Sequence, residues 1–225
     1  MMIRKSSRDL SIPIEKTQFK GKLVTVEFAP VYAYEWWGPN NNGDSFPWDE
    51  IRKNYKTFET HASVYLEHQQ NDAMKVGYIE KAFLDFDMKR IVVRATIDLT
   101  LVPEDIISRV KNKVAIGSSM GCEVPYDICS ACGHIARSNS DRCKHIPDKL
   151  LEIDEESNEL VSMINISPIW YDLSIVARPA MLLSFATKYI ENNKEESAIF
   201  AFRANPIKNY LEVINDFYNN KKTLK

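Results

Sequence analysis

Two groups of residues in this 225-residue chain have the types and spacing to do chemistry. The first centres on Gly117-Ser118-Ser119-Met120-Gly121, a serine held between glycines. A serine hydroxyl becomes a nucleophile when a base lies within hydrogen-bond reach and a carboxylate holds that base in the right tautomer. His68 closes the strand-like run Val64-Tyr65-Leu66-Glu67-His68, on the face of Val64 and Leu66. Asp172 lies within Trp170–Val176, on the face of Trp170, Ser174 and Val176, where a carboxylate is expensive unless something pairs with it. His68, Ser119 and Asp172 are therefore the candidate catalytic set. G-x-S-x-G also fits the nucleophile elbow of an α/β-hydrolase, but no helix pattern follows Gly121. The only later histidines, His134 and His145, lie inside a cysteine segment, so that assignment fails.

The second group is that cysteine segment. All four cysteines, Cys122, Cys129, Cys132 and Cys143, fall between positions 122 and 143. Such clustering points to metal and not to a secreted disulfide scaffold. Cys129-Ser130-Ala131-Cys132-Gly133-His134 sets two thiolates on one tight turn, and Cys143-Lys144-His145 completes a tetrahedron. Zinc is the natural ion for such a sulfur and nitrogen set. The preferred ligands are Cys129, Cys132, Cys143 and His145. Cys122 is the alternate ligand in place of His145, and His134 ranks third. With four protein ligands the zinc is expected to be structural. Arg137, Arg142, Lys144 and Lys149 surround the segment, but they are offset by Asp141, Asp148 and Glu152–Glu156. With no basic aromatic stripe, nucleic acid is an unlikely partner.

The elements that must carry these groups read as β-rich. Residues 23–34 and 62–68 are strand-like, and 76–86 with 90–99 form a hairpin around Asp87-Met88-Lys89. Pro47 and Pro103 open helices, the first carrying Trp48, Ile51, Tyr55 and Phe58. Val114–Val124 is a strand, and Leu160–Pro179 holds two strands broken near Ser167-Pro168. Beyond Pro179 the pattern turns helical, most clearly over 207–218. Helices enter singly and no βα period repeats, which predicts an α+β fold on an antiparallel sheet or barrel. Hydrophobic residues at 44%, charged residues at 27% and a net charge of −2 exclude a disordered chain and bulk electrostatic nucleic-acid binding. No apolar stretch is long enough for a membrane span, and the basic opening Met1–Asp9 lacks the apolar core of a secretion signal. Only seven glycines are present, and none follows Gly133.

Four of these features occur in an order that resembles the head maturation (prohead) proteases of tailed bacteriophages. They are His68 with Gly77 beyond it, a hairpin, a Pro-Glu-initiated helix leading to Ser119-Met120-Gly121, and Asp172-Leu173-Ser174-Ile175-Val176 running on to Pro179-Ala180. The likeness covers roughly residues 20–180. It implies the herpesvirus assemblin-like fold, a small antiparallel β-barrel flanked by helices. The protease-like domain would be 1–185, with a zinc-knuckle insertion at about 122–150 and a C-terminal helical extension over 186–225. By the resemblance, Ser119 is the nucleophile, His68 the general base and Asp172 the orienting member. The family commonly has Glu at that third position and its herpesvirus relatives a second His, so His61 stands in reserve. Ser118 is a rival to Ser119 but falls out of the Ser-Met-Gly register. The implied function is a serine endopeptidase that cleaves capsid and scaffold proteins inside the immature phage head, in the host cytoplasm. The alternative is a non-catalytic, zinc-stabilised head scaffold or core protein of the same fold. The C-terminal helix would be a core-packed element, a removable tail or a contact with scaffold or another protomer, which leaves room for a homo-oligomer.

Overall fold

The computed structural model describes residues 18–191 and 194–199. The first half of the chain holds β1 (Leu23–Tyr32), α1 (Tyr34–Trp37), β2 (Asp44–Ser45), α2 (Trp48–Asn54), α3 (Thr57–His61), β3 (Ser63–Leu66), β4 (Lys75–Asp85), β5 (Arg90–Asp98) and α4 (Glu104–Lys111). The second half holds β6 (Ser118–Glu123), β7 (Tyr126–Cys129), β8 (Ile135–Ala136), α5 (His145–Lys149), β9 (Met163–Ile166), β10 (Ile169–Ile175), β11 (Ala186–Glu191) and β12 (Lys194–Ser197). The fold is α+β and mostly sheet. The eight-stranded sheet runs β12-β11-β1-β5-β4-β3-β10-β6, and the four-stranded one runs β2-β9-β7-β8.

Alternation of buried apolar residues builds the large sheet. In β5 Ile91, Val93, Ala95 and Ile97 are all fully buried, and the β4–β5 hairpin stands where the sequence puts it. The helix expected after Pro47 divides in two. Tyr55 closes α2, and α3 starts afresh with Phe58 turned inward. Phe58 stacks on Trp170 of β10 with centroids 5.4 Å apart, and the Trp170 backbone N–H donates to Thr57 Oγ1 at 3.0 Å. Both rings are fully buried. Burial of large side chains like these contributes about 1.5–3 kcal/mol each, which anchors β10 against α3.

Three expectations need correction. The sheets are mixed, not antiparallel, because β10 pairs β3 in parallel and β2 pairs β9 in parallel. The large sheet is also not a closed barrel. Its ends approach where Ser118 N–H donates to Ser184 O at 2.8 Å and Ala186 N–H to Ile116 O at 2.8 Å. The ladder stops there because β12 pairs along β11 from Lys188 onward, which leaves β6 only the stub before it. Finally, residues 186–191 and 194–197 are strands of the main sheet and not a helical extension, since β11 pairs β1 antiparallel. The helix expected over 207–218 lies outside the described residues.

The zinc-knuckle expectation at about 122–150 maps onto a larger unit. Its sheet draws on β7, β8 and β9, so the segment runs from Tyr126 to Ile166 and takes β2 as an edge strand. Its own core is small: Cys129, Ile146, Val161 and Met163 are the buried members.

Candidate active site and metal centre

Asp172 and Ser119 come from adjacent strands, and His68 from the turn that follows a third. β10 lies between β3 and β6, with Asp172 opposite Ser63 on one side and Gly121 on the other. Ser119 is the register partner of Ser174. β3 ends at Leu66, and the chain then turns through Glu67 (φ 46°) and His68 (φ 57°). Two successive non-glycine residues in the left-handed region cost of order 1–3 kcal/mol each. The turn is held by Glu67 N–H to Ile175 O at 3.0 Å, His68 N–H to Ser174 Oγ at 3.2 Å, and Ala177 N–H to Glu67 Oε1 at 2.8 Å.

That turn brings the imidazole over β10. His68 Nδ1 lies 2.8 Å from Asp172 Oδ2, and the same oxygen accepts Gln70 Nε2–H at 2.8 Å. Oδ1 accepts the Ser174 hydroxyl at 2.6 Å. Asp172 has no exposed surface, so three donors replace the water it has lost. With Nδ1–H donating to Asp172, the His68 Nε2 lone pair is left free for a proton. The His68 side chain is 42% exposed, so the imidazole is open to solvent.

Ser119 and His68 line one cleft of about 220 Å³, together with Gln70, Met120, Gly121, Asp44 and Met181 among others. The neighbouring Ser118 is fully buried on the other side of the strand, and its hydroxyl has no partner among the described residues. Ser118 is thus removed as a rival. His61, the reserve, ends α3 and lies 2.7 Å from Thr60 Oγ1 through its Nδ1; it does not line the cleft. Gly121 has a specific reason to be glycine. A Cβ there would stand 3.1 Å from Asp172 Cβ and 3.2 Å from both Asp172 Oδ2 and Gln70 Nε2. Gly117 is tighter still, with the Val176 carbonyl oxygen 2.4 Å from where its Cβ would be. Sequence reasoning missed Gln70, a loop residue with no periodic signal. It also gave Ser174 no role, although the Asp-x-Ser spacing puts that hydroxyl on the carboxylate's own face.

The metal candidates also gather. One ligand atom from each of Cys129, Cys132, Cys143 and His145 lies within 4.8 Å of the others. Cys132 Sγ is 3.5 Å from Cys143 Sγ, which in turn is 3.7 Å from His145 Nδ1. A tetrahedron with metal–sulfur bonds of about 2.3 Å and metal–nitrogen bonds of about 2.0 Å has edges of roughly 3.5–3.8 Å. The four side chains therefore fit a tetrahedral ion. The alternate, Cys122, is buried in the main core instead, where desolvation pushes its thiol well above the usual range. His134 turns away, with Nε2 2.6 Å from the Asp141 carbonyl oxygen. Behind the cluster, His145 Nε2 lies 3.8 Å from the Asp154 carboxylate, on the side away from the sulfurs.

The two sites meet at β2. Asp44 and Ser45 pair with Met163 and Ile164 of β9, Met163 N–H donates to Gly43 O at 2.8 Å, and Ser45 Oγ donates to Ser162 Oγ at 2.9 Å. Met163 is also the register partner of the ligand Cys129. One β-strand thus separates the sulfur cluster from the cleft wall.

No protein-family model, no curated protein and no solved structure matches this chain. Among the described residues no helix is long and apolar enough to cross a membrane.

Proposed function

We propose that this chain is a serine endopeptidase of the phage head-maturation type, acting on capsid and scaffold proteins inside the immature head. The observation that carries this reading is the pairing of His68 with the buried Asp172, with His68 sharing a cleft with Ser119. His68 Nε2 takes the Ser119 proton as Oγ attacks the peptide carbonyl carbon. The resulting imidazolium is held by Asp172 and gives its proton to the leaving amine. The acyl-enzyme ester is then hydrolysed by a water that His68 activates in the same way. Asp172 keeps the ring oriented, and Gln70 and Ser174 keep Asp172 in place.

The cysteine cluster on this reading is a structural zinc site, with Cys129, Cys132, Cys143 and His145 as ligands. All four positions are protein groups, so the ion would stabilise the small second core and not touch substrate. The test is labelling with a serine-directed phosphonate, followed by scaffold cleavage in the Ser119→Ala variant. Labelling at Ser119 and loss of cleavage are expected. A folded, zinc-loaded protein that takes no label would be the non-catalytic head component instead.

A further inference from the structure

Beside Ser119 and His68, the cleft is walled by the loop Asn40–Asp44. Asn40 Oδ1 accepts the N–H groups of Asn42 and Asp44 at 2.9 and 3.0 Å, so the loop is pinned by its own side chain. Asp44 is only 3% exposed, yet it faces the cleft.

Its carboxylate is poorly served. Among the described residues it accepts only Asn40 Nδ2 and Asn165 Nδ2, each at 3.3 Å. Charged acceptors usually draw their donors to about 2.7–2.9 Å. Two other buried aspartates in this molecule show what full pairing looks like. Asp98 takes three donors at 2.6, 2.9 and 3.0 Å, and Asp172 takes three at 2.6–2.8 Å. Arg142 acts on Asp44 from a distance, but its guanidinium is bound to Asp127 at 2.8 Å. Among the described residues no lysine or arginine lines the cleft. Burial pushes the Asp44 carboxyl upward from its ordinary range, and the Asn165 and Asn40 amides offset that desolvation only in part. Met120 and Met181 add apolar surface to the same cleft, suited to an aliphatic stem.

We propose that Asp44 is the specificity determinant of this cleft, and that the peptide side chain it accepts is cationic, a lysine or an arginine. The proposal deepens the endopeptidase reading and rests on it for the peptide nature of the ligand. An incoming ammonium or guanidinium supplies the short, charge-assisted donors that the two amides do not. The cleft then favours peptides with a basic residue near the scissile bond.

The test separates binding from catalysis by using full-length Ser119→Ala protein and calorimetric titration with short peptides. One lysine is walked through the central positions and compared with norleucine and glutamate at each. At one position lysine is expected to bind about ten-fold tighter than norleucine, or better, the gain of one charge-assisted hydrogen bond. Asp44→Asn is expected to remove that difference without weakening the norleucine peptide. Equal affinities at every position, tighter binding of glutamate, or no binding of any peptide would overturn the proposal. The lysine and norleucine comparison needs no Asp44 variant, so a folding defect in that variant leaves the result readable. Basic-peptide binding by a protein that takes no phosphonate label would sink the endopeptidase reading and leave the Asp44 site standing.

Discussion

Asp172, with no exposed surface, lies 2.8 Å through Oδ2 from Nδ1 of His68, a residue 104 positions away in the chain. The contact exists because β10 lies alongside β3 in parallel, and because two left-handed residues fold the end of β3 back over it. Replacing the carboxylate by an amide in Asp172→Asn keeps the shape but favours the wrong imidazole tautomer. Peptide cleavage is expected to fall about 10⁴-fold with the fold retained, as read by kcat/KM and circular dichroism. A variant as active as the parent would exclude Asp172 from the relay.

Ser118 and Ser119 provide an internal control. Ser119→Ala is expected to lose phosphonate labelling and at least about 10³-fold in cleavage rate. Ser118→Ala is expected to keep both, since the Ser118 hydroxyl is buried and has no partner among the described residues. Removing that orphaned hydroxyl should leave the melting temperature unchanged or raise it. Labelling that follows Ser118 would reverse the assignment.

Gly121→Ala tests the packing behind the carboxylate. The added methyl must push on Asp172 and Gln70. The expected outcome is a loss of about 10²-fold in kcat, the scale of a small misplacement of catalytic groups, with only a modest change in stability. Retained kcat would mean that the Asp172–Gln70 arrangement adjusts freely.

Metal removal should reach the cleft through β2. The purified protein is expected to hold one zinc, measured by elemental analysis, and to lose it in Cys132→Ser but not in Cys122→Ala. Chelation should lower the melting temperature and expose Ser45–Asp44 amides to hydrogen exchange, because β2 rests on β9. Zinc should also bind more weakly as pH falls. Burial opposes ionisation of Cys132, but the His134 N–H and the neighbouring sulfurs bring its thiol down to about 7. Burial pushes Cys129 up to about 12. Acid thus returns protons that the metal must displace. Chelation with no change in the exchange of β2 would show that the two sites are independent.

The residues that carry a period were legible. The β4–β5 hairpin, the break at Ser167 and the Pro103-led helix all follow from alternation and punctuation. The four clustered candidate ligands follow from spacing, because Cys129 and Cys132 share one turn whatever the rest of the fold does. The strands at 186–191 and 194–197 were not legible. The pattern beyond Pro179 reads as helical with a polar stretch from Glu191 to Glu196, and only the pairing of β11 with β1 and of β12 with β11 makes strands there, an override that no local propensity carries. The parallel β3–β10 contact was also hidden, and with it the part played by Gln70. Period two puts Asp172 and Ser174 on one face but does not say which face meets the cleft, because Leu173 on the other is buried just as fully.

The order β3-β10-β6 has a consequence for when the site comes into being. During synthesis, β3 and β6 emerge long before β10, yet neither hydrogen-bonds to the other in the finished sheet. His68 and Ser119 share no strand that registers them until β10 is made and pairs with both β3 and β6, carrying Asp172 with it. On the proposed endopeptidase reading, a newborn chain is expected to cut nothing, itself included, before residue 172 has been made and seated.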